Sequence, residues 1–221
     1  MSANLMSLAR SGGKFLKLFG DRKMVWTLPY LRRVAYLESH GTEWIDTGII
    51  PTEATSCKLD GQFRKVNVTQ INGVFDNLYG SIGFDIGINS GKWFARRFGA
   101  NTLAITADTN RHVFEIISDE SAFSIDGTKY NLNFSHGSFS KSIYLFARND
   151  LEKSGHVNIM FYCKLALYGF SARENDTLIQ DLIPVIDLSG RPAMYDEVSG
   201  LFFYNQGTGE FTWGELDSQT T

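Results

Sequence analysis

Glycosidases built on β-sandwiches resemble one another in carrying two carboxylates on one strand face, spaced as in E-x-D-x-x-E or E-x-D-x-E. That spacing sets acid and nucleophile about 5–5.5 Å apart across the bond. This 221-residue chain contains no such run. Asp85 stands alone in Gly83-Phe84-Asp85-Ile86-Gly87, and Asp119-Glu120 belongs to a turn. A serine nucleophile would be exposed by a G-x-S-x-G elbow, which is also missing. The members of a Ser-His-Asp triad meet only in space, so spacing leaves that arrangement open. The four histidines, His40, His112, His136 and His156, show no metal-ligand spacing. His112, just after Asn110-Arg111 at a strand start, reads as a hydrogen-bonded strand residue. The expectation is a protein without hydrolase activity.

Asp46 in Ile45-Asp46-Thr47-Gly48 has the oxygen chemistry of a Ca²⁺ ligand, but a hard cation wants several carboxylates and carbonyls on adjacent loops. One Asp is not such a set, so Asp46 reads as a turn cap whose carboxylate accepts backbone N–H groups. Asp196-Glu197, ahead of Val198-Ser199-Gly200, reads the same way. No cofactor is expected; a bound Ca²⁺ stays open as the alternative, with no ligands assigned to it. Carbohydrate binding asks for something else: apolar sugar faces stack on aromatic rings while amides and charged groups take the hydroxyls. Asn77, Tyr79, Trp93 and Arg96 are the candidates for such a platform, with Trp93 equally a candidate for the core.

Positioning any of these residues takes a folded core, and 43% hydrophobic with 14% aromatic residues supplies one for one large or two small domains. Twenty-one Gly and 17 Phe against 4 Pro describe short strands, tight turns and aromatic faces, an all-β composition. Twenty-one basic against 24 acidic side chains leave a net charge of -3, without the basic excess that phosphate backbones attract. Nucleic acid is therefore not an expected partner. The chain's only cysteines, Cys57 and Cys163, build neither a metal knuckle nor a disulfide framework. Both are expected as free thiols. No run of about 18 apolar residues occurs, so no membrane span is expected. Arg10, Lys14 and Lys17 break up the first 20 residues, so no export signal is expected either.

Two regions follow from the periodicity. Residues 1–24 carry the apolar clusters Leu5, Leu8 and Phe15, Leu18, Phe19 at the i, i+3, i+4 spacing of one-sided helical turns. They read as an anchor or oligomerisation arm that docks its stripe on another surface. Residues 25–221 switch to period two and read as a single domain of about a dozen strands, hence a two-sheet antiparallel sandwich. Val157 to Tyr168 is predicted as one long strand with Val157, Ile159, Phe161, Cys163, Leu165 and Leu167 inward and Tyr162, Lys164 and Tyr168 outward. Asp126-Gly127, Ser199-Gly200 and Asn205-Gln206-Gly207 are predicted turns with positive φ.

The stretch Leu28-Pro29-Tyr30-Leu31-Arg32-Arg33-Val34-Ala35-Tyr36-Leu37-Glu38-Ser39-His40-Gly41-Thr42-Glu43-Trp44-Ile45-Asp46-Thr47-Gly48-Ile49 resembles the opening of a concanavalin A-like (laminin-G-like) jelly-roll family. Ile143 to Asn149, Leu165 to Tyr168 and Leu178 to Pro184 look like its later strands. Gly190, Met194 to Asn205, Gly207-Thr208-Gly209 and Phe211 look like its end. The resemblance covers residues 28–214 and leaves the arm without a counterpart. It implies an all-β jelly-roll sandwich of the kind found in structural proteins of phages and prophages and in gut-bacterial surface proteins, and a jelly roll by itself hosts many functions. The implied function is a non-enzymatic virion component, a capsid- or tail-associated fibre or decoration protein made in the host cytoplasm and released by lysis. Its expected partners are other virion proteins through the arm, further copies of itself, and host or mucosal glycans. The alternative is a lectin-like adhesion module of a bacterial surface protein, which would need an export signal.

Overall fold

The computed structural model of the chain describes residues 10–11, 14–18, 24–66, 72–73, 77–78, 83–98, 100–118, 120, 122–131, 137, 139–151, 157–160 and 162–216. Every regular element among them is a β-strand. β1 (Arg10–Ser11), β2 (Lys14–Leu18) and β3 (Met24–Thr27) form a three-stranded antiparallel sheet. This corrects the helical reading of the arm where the arm is described. Phe15 and Leu18 lie on β2, registered against Thr27 and Met24. The physical reason is length: a turn or two of isolated helix is marginal in water, whereas β3 offers β2 a hydrogen-bonded ladder. Leu5, Leu8 and Phe19 lie outside the described residues, and β3 spans the boundary expected at residue 25.

β4 (Tyr30–Arg33), β5 (Tyr36–Glu38) and β6 (Ile45–Asp46) lead to the nine-residue β7 (Thr55–Phe63). β7 buries Thr55, Cys57, Leu59, Gly61 and Phe63, the alternation its sequence demands. After β8 (Asn72–Gly73) and β9 (Asn77–Leu78) come β10 (Phe84–Asn89), β11 (Lys92–Arg97) and β12 (Ala100–Thr106). The sheet order β12-β11-β10-β8 is antiparallel throughout. β13 (Arg111–Ile117), β14 (Ala122–Ile125) and β15 (Thr128–Asn131) form a meander. Asp126 and Gly127 close its last hairpin at φ 51° and 80°, the left-handed values that a two-residue turn requires. β16 (Tyr144–Leu145) pairs β6, and β17 (Arg148–Leu151) pairs β18 (Val157–Met160) and, in parallel, β9.

β19 (Leu165–Glu174), β20 (Thr177–Asp187), β21 (Pro192–Asp196), β22 (Phe202–Phe203) and β23 (Thr212–Gly214) complete the chain. The large sheet runs β15-β14-β13-β7-β19-β20-β21-β22, with β4 on β20, β5 on β19 and β23 on β5. The single strand expected from Val157 to Tyr168 is therefore two strands, β18 and the start of β19, in different sheets. The Cys163 N–H bonds the Phe146 carbonyl at 2.9 Å between them, which redirects the chain from one sheet to the other. Cys163, Leu165 and Leu167 are buried as expected, but so is Ala166, and Phe161 lies outside the described residues.

The large sheet and the β10–β11 hairpin face each other across one core, a sandwich-like arrangement. Phe63 and Phe114 from the large sheet meet Trp93 of β11 at ring-centroid distances of 5.2 and 4.8 Å. Cys57 and Cys163 are free thiols in this core, and burial pushes both well above the ordinary thiol range. A smaller cluster of Tyr30, Ile183, Val185, Ala193 and Tyr195 sits on the β4, β20 and β21 strands.

One buried carboxylate organises the 39–43 loop. Glu43 is 2% exposed, and its Oε2 accepts the Ser39 hydroxyl (3.0 Å) and the N–H groups of His40 (2.8 Å) and Thr42 (3.2 Å). Burial opposes its ionisation, but the backbone donors of Thr42 and His40 outweigh that and hold its carboxyl below the usual range. The 205–209 loop closes over it. Asn205 Oδ1 accepts the Trp44 N–H (3.1 Å) and the Gly207 N–H (2.8 Å). Gly207 does not take the positive φ expected of it. Close approach requires glycine there instead, because a Cβ would overlap the Thr42 carbonyl.

Phe114 is fully buried and its ring meets Phe63, Trp93 and Phe123. Phe114→Ala is expected to cost about 3–5 kcal/mol in denaturant melts. A loss below about 1 kcal/mol would contradict the packing between the two layers.

Candidate functional site

The platform expected from Asn77, Tyr79, Trp93 and Arg96 is not assembled as an exposed surface. Trp93 is 2% exposed and packed edge-on to Phe63, so its ring is core. Arg96 is 6% exposed and donates from Nε to Asp85 Oδ2 at 2.8 Å, a buried ion pair. The reason is that β11 is an interior strand between β10 and β12, covered on both faces from Trp93 to Arg97. Asn77 lies on β9, and Tyr79 is outside the described residues. Asp46 is a turn cap: its Oδ1 accepts the Gly48 N–H at 2.8 Å. Asp196 orders the β21–β22 turn by accepting the N–H groups of Asp181, Val198 and Ser199.

A different set of aromatic and basic side chains converges on the outward face of the large sheet. In β5, buried Leu37 puts its neighbours Tyr36 and Glu38 outward. In β7, buried Leu59, Gly61 and Phe63 leave Asp60 and Gln62 outward, with Arg64 just beyond the strand. Tyr168 comes from an irregularity in β19: Leu167 pairs Gly61 and Gly169 pairs Asp60, so Tyr168 is the extra residue of a bulge. Such an insertion re-aims a side chain. Tyr168 thereby reaches Tyr36 across the β19–β5 pairing, ring centroids 5.1 Å apart at 56°. A Cβ at Gly214 of β23 would overlap the Tyr36 ring, so glycine is what lets that ring lie where it does.

Two guanidinium groups bracket the tyrosines. Arg111 stands 3.8 Å from the Tyr168 centroid and Arg64 5.6 Å from that of Tyr36, within cation–π range. Arg111 donates to both oxygens of Asp60 at 2.7 and 2.6 Å. Arg64 donates to both oxygens of Glu38 at 3.1 and 2.8 Å, and to Gln62 at 2.7 Å. Bidentate pairing fixes the plane of each guanidinium. Burial raises the Tyr168 hydroxyl above its ordinary value, against the opposing pull of Arg111 and Arg64. Beside the pair lies a cleft of about 560 Å³, lined by Arg33, Tyr36, Arg111, Tyr168, Pro184 and Leu216. Pockets of a few hundred Å³ accept small molecules or one to two sugar rings.

His112, at the start of β13, is hydrogen-bonded as its position in the sequence implies. Its Nδ1 meets Asp126 Oδ2 at 2.6 Å and its Nε2 meets Asp108 Oδ1 at 2.9 Å. A neutral ring donates only one of these bonds, and the imidazolium donates both. Among the described residues no group of three His, Cys, Asp or Glu side chains is arranged to hold a metal ion. Nor does any helix there have the length and apolarity to cross a membrane. No protein-family model matches the chain, and no curated protein matches it.

Sequence reasoning placed Tyr168 on an outward face but did not connect it to Tyr36. The available signal was the outward alternation of Tyr36 and Glu38 about Leu37. The β19 bulge that brings the two rings together carries no such signal.

The His112 clasp has a signed pH dependence. Burial lowers the ring's proton affinity, but Asp126 and Asp108 outweigh it and raise the pKa above the ordinary 6.5. Its stabilisation is therefore fully present below about pH 6.5 and is lost as pH rises through the folded value. The lowered carboxyls of Asp108 and Asp126 make the same clasp fail at the acid end, as pH falls through their folded values. Thermal melts of wild type and His112→Gln are expected to differ most just below the ordinary histidine value of about 6.5 and to draw together as pH rises above it. A gap independent of pH would rule the clasp out.

Proposed function

We propose that this chain is a non-enzymatic structural component of a phage virion, a jelly-roll sandwich that presents the Tyr36–Tyr168 cleft to a carbohydrate. The observation that carries the binding reading is the Tyr36–Tyr168 pair, held by Arg64 and Arg111 on an outward sheet face. Paired rings fixed from both ends give a sugar an apolar wall at little ordering cost. Asp60 and Glu38, the carboxylates beside the rings, accept guanidinium groups through both oxygens, the geometry of positioning groups. The virion reading is supported by the sequence resemblance over residues 28–214. In this reading residues 1–24 are the attachment and oligomerisation arm, and the sandwich is the displayed head.

Two measurements on the full chain test the two halves of the proposal. Tyr168→Ala, at a half-buried surface position, is expected to keep the cooperative melt and to weaken glycan-array binding by about ten-fold or more. Unchanged binding would remove the cleft from the proposal. A variant with Leu5, Leu8 and Phe19 changed to Asp is expected to fold but no longer to co-sediment with particles. Retained co-sedimentation would place attachment on the sandwich, and absence of the chain from purified virions by mass spectrometry would favour the adhesion-module reading.

A further inference from the structure

We infer that the cleft beside Tyr36 and Tyr168 selects an acidic sugar, a uronic or sialic acid, whose carboxylate is taken by Arg33. The inference rests on the carbohydrate reading above and adds the ligand's charge and the residue that reads it. Arg33 and Arg111 line the cleft, Arg32 precedes Arg33 on β4, and Arg64 stands over the Tyr36 ring. Arg111 is filled by Asp60, Arg64 by Glu38, and Arg32 by Glu215 at 3.0 Å. Arg33, on the cleft wall and exposed, donates no hydrogen bond to any described residue. Arg33 thus faces the cleft without a carboxylate of its own among the described residues, in a chain whose net charge is -3.

Arg33 is also held where it can act. Its backbone pairs with Val185 of β20, in register with the small cluster of Tyr30, Ile183 and Val185. Burial and Asp196 leave the Asp181 carboxyl raised, and Arg33 lowers it only through space. Asp181 does not occupy the fork. A planar guanidinium with free N–H donors matches a carboxylate in two parallel bonds, which a lone hydroxyl cannot do. Glu215 also lines the cleft, with its carboxylate taken by Arg32, and the rest of the wall asks for an apolar face: Tyr36, Tyr168, Pro184 and Leu216 line it. A pyranose ring bearing a carboxylate joins those two requirements in one ligand. A simple anion would use Arg33 and leave the rings without a contact.

The test is calorimetry on the full chain with two matched pairs of probes at low salt. The pairs are sialyllactose against lactose, and digalacturonate against its methyl ester. The acidic member of at least one pair is expected to bind about ten-fold or more tighter, the usual worth of a charge-assisted bond. Arg33→Gln should bring the acidic and neutral members to within about two-fold while leaving the melt unchanged. Tyr168→Ala should weaken both. Equal binding of acidic and neutral probes, or an acidic preference that survives Arg33→Gln, overturns the inference and leaves the carbohydrate reading standing. Acidic binding that survives Tyr168→Ala reveals plain ion pairing and overturns it as well. Binding of no probe by the wild-type chain removes both readings together.

Discussion

The pairing of β7 with β19 along their whole length is the constraint on which the rest of the large sheet depends. The two strands are separated by residues 64–164, so their ladder closes a long loop before it gains any hydrogen bond. Once closed, it fixes β13 on one side and β20 and β5 on the other. The bulge at Tyr168 is a local fault in this same ladder. The outward face therefore inherits its geometry from a long-range ladder, and a change that slipped the register by one residue would send Tyr168 elsewhere.

Buried acids in this protein are answered mainly by backbone. Glu43 is met by N–H groups of its own loop, and Asp196 by those of its turn and of β20. Asp187 follows suit with Ser189 and Arg191 N–H groups at 2.8 and 2.9 Å, and adds the Tyr204 hydroxyl at 2.8 Å. Those donors outweigh its burial and draw its carboxyl far below the usual range. Such carboxylates stiffen turns and fasten loops.

The all-β class was legible from composition and period, and β7 shows why, because its alternation along nine residues is clean. What stayed hidden came from context. Val157 to Tyr168 alternates correctly along its length, yet the chain changes sheets within it, and side-chain period carries no information about which partner a strand takes. β21 opens on Pro192, a residue that argues against strand unless an edge or strand start is known. Trp93 read as either platform or core, and only the neighbours of β11 decide between them. Tyr36 and Tyr168 lie far apart in sequence, and their meeting depends on a bulge that no residue type announces.

The hairpin closed by Asp126 and Gly127 leaves β15 at one margin of the large sheet, paired to β14 alone. An open margin is a template on which a second molecule can lay a strand and start an aggregate. β15 is only four residues long, and Thr128, Lys129 and Asn131 are exposed along it. Lys129 is bound to Glu120, which keeps a charged pair at that border. A neighbour approaching edge-on would have to strip water from this pair and would gain few ladder bonds in return. Copies crowded side by side at high local concentration are thus kept from fusing through this margin of their sheets.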